Sequence, residues 1–320
     1  MADDSGIFRL LGESIVNEAF DELFASGIPS PMANRVLRRF SKRWRDYTRA
    51  ALMVMACQAV GGDPGLVRPA AKGLVLAGGA FDLHDDIIDR SFVRSRRAKK
   101  TIQGLYGPEA TLLTGDALLI GGLLQLTNLP GIEKEVSRRA IMAIRKGLFE
   151  LGSAEMDELK FVRNLDSTPR EYLRIIRMKG ADVESYTRVG AIIGGGKEEE
   201  IEALGKFGRY LGVICILRDD LEDTFNDMTE CRSRLMKESL PLPIQYCIKD
   251  ERCRTILKGM WTKPDGIEPT DEELSDLIKI IDAHKGFEKG QALISKYVRA
   301  AKKEVEPLKD PEPFRRLFHS

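Results

Sequence analysis

Two short runs of aspartate carry the clearest chemistry in the chain. They are Asp85, Asp86 and Asp89 in FDLHDDIIDR, and Asp219, Asp220 and Asp223 in ICILRDDLEDTFND. Each follows ten or more mostly apolar residues that read as helix. Residues three and four apart are neighbours on a helix surface, so each run is expected to place its three carboxylates on one face. Like charges at this spacing cost an isolated helix about 0.2–0.5 kcal/mol per pair. One such run is ordinarily a solvated face; two, each closing an apolar stretch, imply that the charge is used. Hard cations such as Mg2+ take oxygen ligands and often share them with substrate phosphates. His84 is the one histidine beside a cluster, so the Glu-x-x-His pairs of a di-iron bundle are missing. His84 itself reads either as a support for the acidic cluster or as an ordinary helix residue. Arg94, Arg96, Arg97, Lys99 and Lys100 follow the first run, where a phosphate would need cations, and arginine suits bidentate phosphate contacts.

The elements that position these groups read as helices. Phe8, Leu11, Ile15, Ala19 and Leu23 keep a three-to-four spacing, the stripe of a core-facing helix. Val36 to Val60 reads as one helix with a basic first half, closed by the GGDP turn at 61–64. Residues 66–92 form a long apolar helix that ends in the first cluster. Leu112–Leu126, Val136–Leu151, Tyr172–Ile193 and Ile201–Phe225 continue the pattern, separated by YGP at 106–108, NLPG at 128–131 and GGGK at 194–197. Alternating β runs are nearly absent, and no linker interrupts the chain. The expectation is one all-α domain spanning 1–320, with ten or more helices and carboxylates facing across a bundle.

Composition narrows the function classes. The formal net charge of +1 gives no global pull toward nucleic acid or a membrane surface. Five cysteines without a CxxC pair argue for reduced thiols in a cytoplasmic protein rather than a disulfide framework or zinc site. The start of the chain is acidic and then amphipathic, unlike a signal peptide. The most apolar stretch, TLLTGDALLIGGLLQL, contains Asp116 and several glycines and reads as a core helix rather than a membrane span.

From about residue 45 to 245 the chain resembles the trans-isoprenyl (polyprenyl) diphosphate synthases, the family of the farnesyl and geranylgeranyl diphosphate synthases. HDDIIDRS, followed by Arg96-Arg97 and AKKT, resembles the family's first aspartate-rich motif with its trailing arginines. LYGPEATLLTGDALL resembles the segment after it. MKGADVESYTRVGAIIGG resembles the helix that carries a diphosphate-binding lysine, here Lys179. FGRYLGVICILRDDLED resembles the second aspartate-rich motif. The resemblance implies an all-α isoprenoid-synthase bundle with a central pocket, acting as a homodimer. It implies Asp85, Asp89 and Asp219 as ligands to Mg2+ on an allylic diphosphate, with Arg96, Lys179 and Lys237 on the same group. Ionisation of that diphosphate and attack by isopentenyl diphosphate would give a farnesyl- or geranylgeranyl-sized product.

The chain also departs from the family. Counting back from Gly61-Gly62-Asp63, the isopentenyl diphosphate site's lysine position holds Asp46 and its arginine position holds Arg49. The family's histidine falls on Gly78, and its Phe-Gln pair falls on Cys215-Ile216. In RLMKESLPLP only Lys237 keeps a comparable place. Lys42, Arg45 and Arg49 share one helix face at this spacing, and Arg45 and Arg49 would with Arg97 bind the second diphosphate, slightly displaced from the usual position. Phe81, four residues before Asp85, would floor the pocket and keep the product short. Two other readings follow from the departures: a terpene cyclase-like enzyme that needs no isopentenyl diphosphate, and a non-catalytic partner subunit. Retention of both aspartate motifs argues against each.

Overall fold

The computed structural model describes residues 5–94, 99–264 and 267–318. Helices α1 (Ser5–Ala25), α2 (Pro31–Ser41), α3 (Thr48–Ala59) and α4 (Arg68–Ile88) come first. A short ribbon follows, β1 (Val93–Arg94) antiparallel to β2 (Lys99–Lys100), with Val93 opposite Lys100. Then come α5 (Ile102–Tyr106), α6 (Pro108–Leu126), α7 (Lys134–Glu158), α8 (Pro169–Lys179), α9 (Ala181–Ile193), α10 (Glu198–Phe225) and α11 (Met228–Lys237). The last are α12 (Leu242–Gln245), α13 (Glu251–Trp261), α14 (Asp271–Ala283), α15 (Gly286–Val305) and α16 (Glu312–Arg316). The all-α expectation holds.

Helix starts follow from local chemistry. The Thr168 side chain accepts from the Glu171 N–H while the Glu171 carboxylate accepts from the Thr168 N–H, a reciprocal box that starts α8 with Pro169 in its first turn. Thr270 and Glu273 repeat the device at α14. Two long helices expected from periodicity are each divided. The stretch Val36–Val60 leaves helical geometry between Ser41 and Thr48 because Trp44 turns inward. It is 6 % exposed, stacks on Phe40 at 6.0 Å and donates from its indole N–H to Asp82 at 2.6 Å. Asp46 then accepts from the Thr48 N–H at 2.9 Å and restarts the helix. The stretch Tyr172–Ile193 divides at Gly180, where the Arg209 carbonyl lies 2.8 Å from the place a Cβ would occupy. The expectation that α6 is a core helix is corrected as well. It packs on α4, but Leu112, Leu113, Ile120, Leu123 and Leu124 stand exposed on it.

The chain divides into two compact units. The first holds Met1–Gly147, Val183–Gly208 and Lys302–Ser320. Its core is α3, buried from Ala50 to Cys57, with the apolar face of α4. Gly190 of α9 brings backbone close to α3, leaving only 2.2 Å between the Met53 carbonyl and a would-be Cβ. The Phe207 and Phe314 rings meet edge-on at 5.0 Å. The second unit holds Leu148–Asp182 and Arg209–Ala301. Its core gathers Leu235, Leu240, Ile244, Leu257, Met260 and Leu277 from α11 to α14.

Candidate active site

In the first unit, α4 delivers the first aspartate run at its C-terminus. Its body is held by buried Leu74, Val75, Leu76, Ala77, Ala80 and Leu83. Asp85 is exposed, Asp86 is half-buried, and Asp89 is the residue that caps the helix. The Ser91 N–H returns to the Asp86 carbonyl at 2.8 Å and the Arg90 N–H to the Ile87 carbonyl at 3.2 Å. This is a Schellman termination whose left-handed position is Arg90, at φ +52°, rather than glycine. Three carboxylates thus sit at the negative end of the helix dipole, with no basic residue in the last turn. A cation is favoured at such a helix end. His84 packs against α6, 3.3 Å from Asp116 and against Gly115, where a Cβ would come within 2.5 Å of its ring. Phe81 is half-buried one turn before Asp85. Arg96 and Arg97 lie outside the described residues.

The basic stripe expected to bind a second diphosphate is not a stripe on one helix. Lys42 caps α2, Arg45 lies in the break, and Arg49 is in the first turn of α3. Arg45 is exposed and donates to the carbonyls of Ser41 and Trp44, both at 3.1 Å. Arg49 is three-quarters buried and paired with Asp46. Its side chain passes Gly78, 3.4 Å from where a Cβ would stand, and the Tyr186 hydroxyl is 3.1 Å from the same point. That hydroxyl donates to the Leu74 carbonyl at 3.0 Å. Tyr186 and Arg49 therefore fill the space beside Gly78.

In the second unit the run on α10 separates its three carboxylates, against the expectation that they share one face. Asp219 is exposed, whereas Asp220 is fully buried. Asp220 accepts from the Tyr172 hydroxyl at 2.9 and 3.0 Å and from the Leu242 N–H at 3.0 Å, and lies 2.9 Å from the Arg234 guanidinium. Burial pushes the Asp220 carboxyl up against the opposing pull of Arg234, the Leu242 N–H and Tyr172. Burial likewise disfavours the Arg234 charge, but Asp220, Tyr172, Glu238 and Asp223 hold it on. Arg234 also donates to Asp223 at 3.2 Å and approaches Glu238 at 3.3 Å, an ion-pair distance without hydrogen-bond geometry. Asp220 therefore braces the fold and does not face a ligand, a correction to its reading as a catalytic carboxylate. Adjacent residues on a helix point about 100° apart, which is why Asp219 and Asp220 part company.

Lys179, the last residue of α8, is held by two carboxylates of α7, Glu158 and Glu155, the latter at 3.1 Å. Burial opposes the Glu158 charge, yet Lys179 and the Ser239 hydroxyl, which donates at 2.6 Å, hold its carboxyl below the usual range. Lys237 is exposed at the end of α11. Arg234, Tyr172, Glu155 and Glu158 were not picked out from the sequence. Glu155 and Glu158, three apart on α7, were readable as one face; Arg234 carried no signal apart from its own partners in space.

The residues present fit Mg2+. Asp85 in the first unit and Asp219 in the second are each exposed, and each offers the hard carboxylate oxygen that Mg2+ takes. Among the described residues no three Asp, Glu, His or Cys side chains converge on one point.

Comparison with known proteins agrees with this chemistry. Residues 32–265 match the sequence model of the family described as polyprenyl synthetase. A short chain isoprenyl diphosphate synthase of Methanothermobacter thermautotrophicus is 26% identical over 275 residues, covering 82% of this chain and 81% of that one. Heptaprenyl diphosphate synthase component 2 of Geobacillus stearothermophilus is 27% identical over 241 residues, covering 73% of this chain and 71% of that one. The crystal structure of geranylgeranyl pyrophosphate synthetase from Pyrococcus horikoshii shares the fold, with a TM-score of 0.86 at 22% identity, 98% of this chain and 97% of that one being covered. The chain has the all-α isoprenoid-synthase fold and belongs to the polyprenyl synthetase family of trans-prenyl diphosphate synthases.

Proposed function

We propose that the chain is a short-chain trans-prenyltransferase that extends an allylic diphosphate (dimethylallyl, geranyl or farnesyl) with isopentenyl diphosphate, to farnesyl or geranylgeranyl size. The observation that carries this reading is the first run: exposed Asp85 and capping Asp89 at the negative end of α4, with no basic residue in the helix's last turn. Asp85, Asp89 and Asp219 hold Mg2+ on the allylic diphosphate, and Lys179, Lys237 and Arg96 contact the same group. Asp86 and Asp223 flank the ligands. When bound, Mg2+ neutralises the diphosphate and stabilises its departure. Arg49, with Arg45 and Arg97, holds the second diphosphate, and Phe81 limits chain length. Incorporation of labelled isopentenyl diphosphate into a longer open-chain product, dependent on Mg2+, tests the proposal.

The cyclase-like reading keeps one supporting observation: Arg49 is paired with Asp46, and the space beside Gly78 is filled by Tyr186. For assembly, we infer a homodimer from the apolar face of α6. Leu112, Leu113, Ile120, Leu123 and Leu124 are 44–68 % exposed there, more than isolated surface leucines explain. The relative named component 2 raises a different partner chain as the alternative. A cytoplasmic location accords with the family and with the five free cysteines.

A further inference from the structure

The second unit contains a cavity of about 320 Å3 that shares no residue with the candidate site. Its charged lining is Arg174, Arg177 and Arg209 with a single carboxylate, Glu150. Glu150 is fully engaged: Arg209 grips it through both terminal nitrogens at 2.5 and 2.9 Å. Arg209 also donates to the Arg177 carbonyl at 2.7 Å, so the last turn of α8 is anchored to α10. The excess positive charge therefore belongs to Arg174 and Arg177.

These two arginines are set differently. Arg177 donates from Nε to the Tyr297 hydroxyl at 2.7 Å, and Tyr297 is only 7 % exposed. One edge of the guanidinium is thereby fixed on a buried group of α15. Its two terminal nitrogens find no protein acceptor among the described residues. Arg174, one turn earlier on α8, makes only a 3.3 Å contact to Asp157 and is otherwise solvated. A pre-set guanidinium fork beside a second, adaptable arginine is the arrangement that grips phosphate. The remaining walls are Met178, Tyr210, Val213 and Tyr297, the two tyrosine rings lying 5.8 Å apart. A bare ion has no use for that apolar surface. The volume is at the small end of the roughly 300–1,000 Å3 typical of ligand pockets.

We propose that this pocket binds a phosphate or diphosphate ester carrying a short apolar group. The anionic head lies on Arg174 and Arg177, and the apolar group lies on Tyr210, Tyr297, Met178 and Val213. Residues two apart on a helix point about 200° apart, so α8 carries Arg177 on one side and Lys179 on the other. Occupancy ties α8 more firmly to α15, which makes the ligand a regulator of the helix that bears Lys179.

The test is hydrogen–deuterium exchange of the full chain in EDTA, titrated with geranyl diphosphate and separately with inorganic diphosphate. Geranyl diphosphate is expected to slow exchange in α15 peptides around Tyr297. The half-maximal concentration should rise about tenfold or more in Arg177→Ala and in the exposed variant Arg174→Ala, as expected for loss of a charged hydrogen bond. Arg177→Lys should fall between, and Asp219→Asn should leave the protection unchanged. Inorganic diphosphate should protect the same peptides only at higher concentration. The proposal is overturned by no protection of α15, by protection indifferent to both arginine variants, or by protection lost in Asp219→Asn. Equal potency of inorganic diphosphate overturns it too, since the apolar walls would then contribute nothing.

Discussion

The Arg234 guanidinium lies 2.9 Å from Asp220, a residue with no solvent exposure, and the same side chain reaches Asp223 at 3.2 Å. One buried arginine thus fixes two of the three carboxylates of the second run and leaves Asp219 outward. Removing one partner of such a pair strands the other charge in the interior, at roughly 3–5 kcal/mol. Asp220→Asn and Arg234→Met should each lower the unfolding free energy measured by urea titration by that order. The double variant should lose less than the sum of the two, because the groups act on each other. An Asp220→Asn protein that unfolds at the parent's midpoint would show that the pair does not brace the fold.

The first run should behave in the opposite way. Asp85 is exposed at the C-terminus of α4, where a negative charge is unfavourable by about 0.3–1 kcal/mol. Asp85→Asn should therefore abolish turnover while costing the fold no more than about 1 kcal/mol in metal-free buffer. A loss of several kcal/mol would mean that Asp85 is structural and the metal assignment is wrong.

Glu158 predicts a pH dependence. Its carboxyl is held below the ordinary value of 4.5 by Lys179 and Ser239 in spite of burial. The unfolded chain then binds this proton more tightly than the folded one. The resulting stability is fully present above 4.5 and is lost as pH falls below it. Glu158→Gln should flatten the fall in urea midpoint on the acid side. Because it removes a charge beside Lys179, it should also lower the KM for the allylic diphosphate. An acid limb as steep as the parent's would exclude Glu158 as the titrating group.

Much of this was legible in the sequence. The helical repeat, the YGP, NLPG and GGGK breaks and both aspartate runs follow from local chemistry, and residues 32–265 match the family so read. What could not be read depended on contacts distant in sequence. Trp44 leaves the helix because Asp82, 38 residues on, takes its N–H. Asp220 turns inward because Arg234, Tyr172 and Leu242 meet it there. The exposed face of α6 looked like core because apolar composition alone does not tell a buried stripe from an exposed one.

In the proposed reaction Arg49 is the residue that would hold the second substrate. It is three-quarters buried and paired with Asp46, so a diphosphate bound there would have to share it with, or draw it from, that carboxylate. Arg49→Ala should raise the KM for isopentenyl diphosphate about tenfold or more, the value of a charged hydrogen bond, with little change in the KM for the allylic starter. An equal rise for both would show a general effect on the fold.

The most direct measurement is product analysis with labelled isopentenyl diphosphate, Mg2+ and each of dimethylallyl, geranyl and farnesyl diphosphate. The expected result is label in an open-chain prenyl diphosphate of farnesyl or geranylgeranyl length, absent when Mg2+ is chelated. Release of diphosphate from a starter with no label incorporated would contradict elongation and establish the cyclase-like reading in its place.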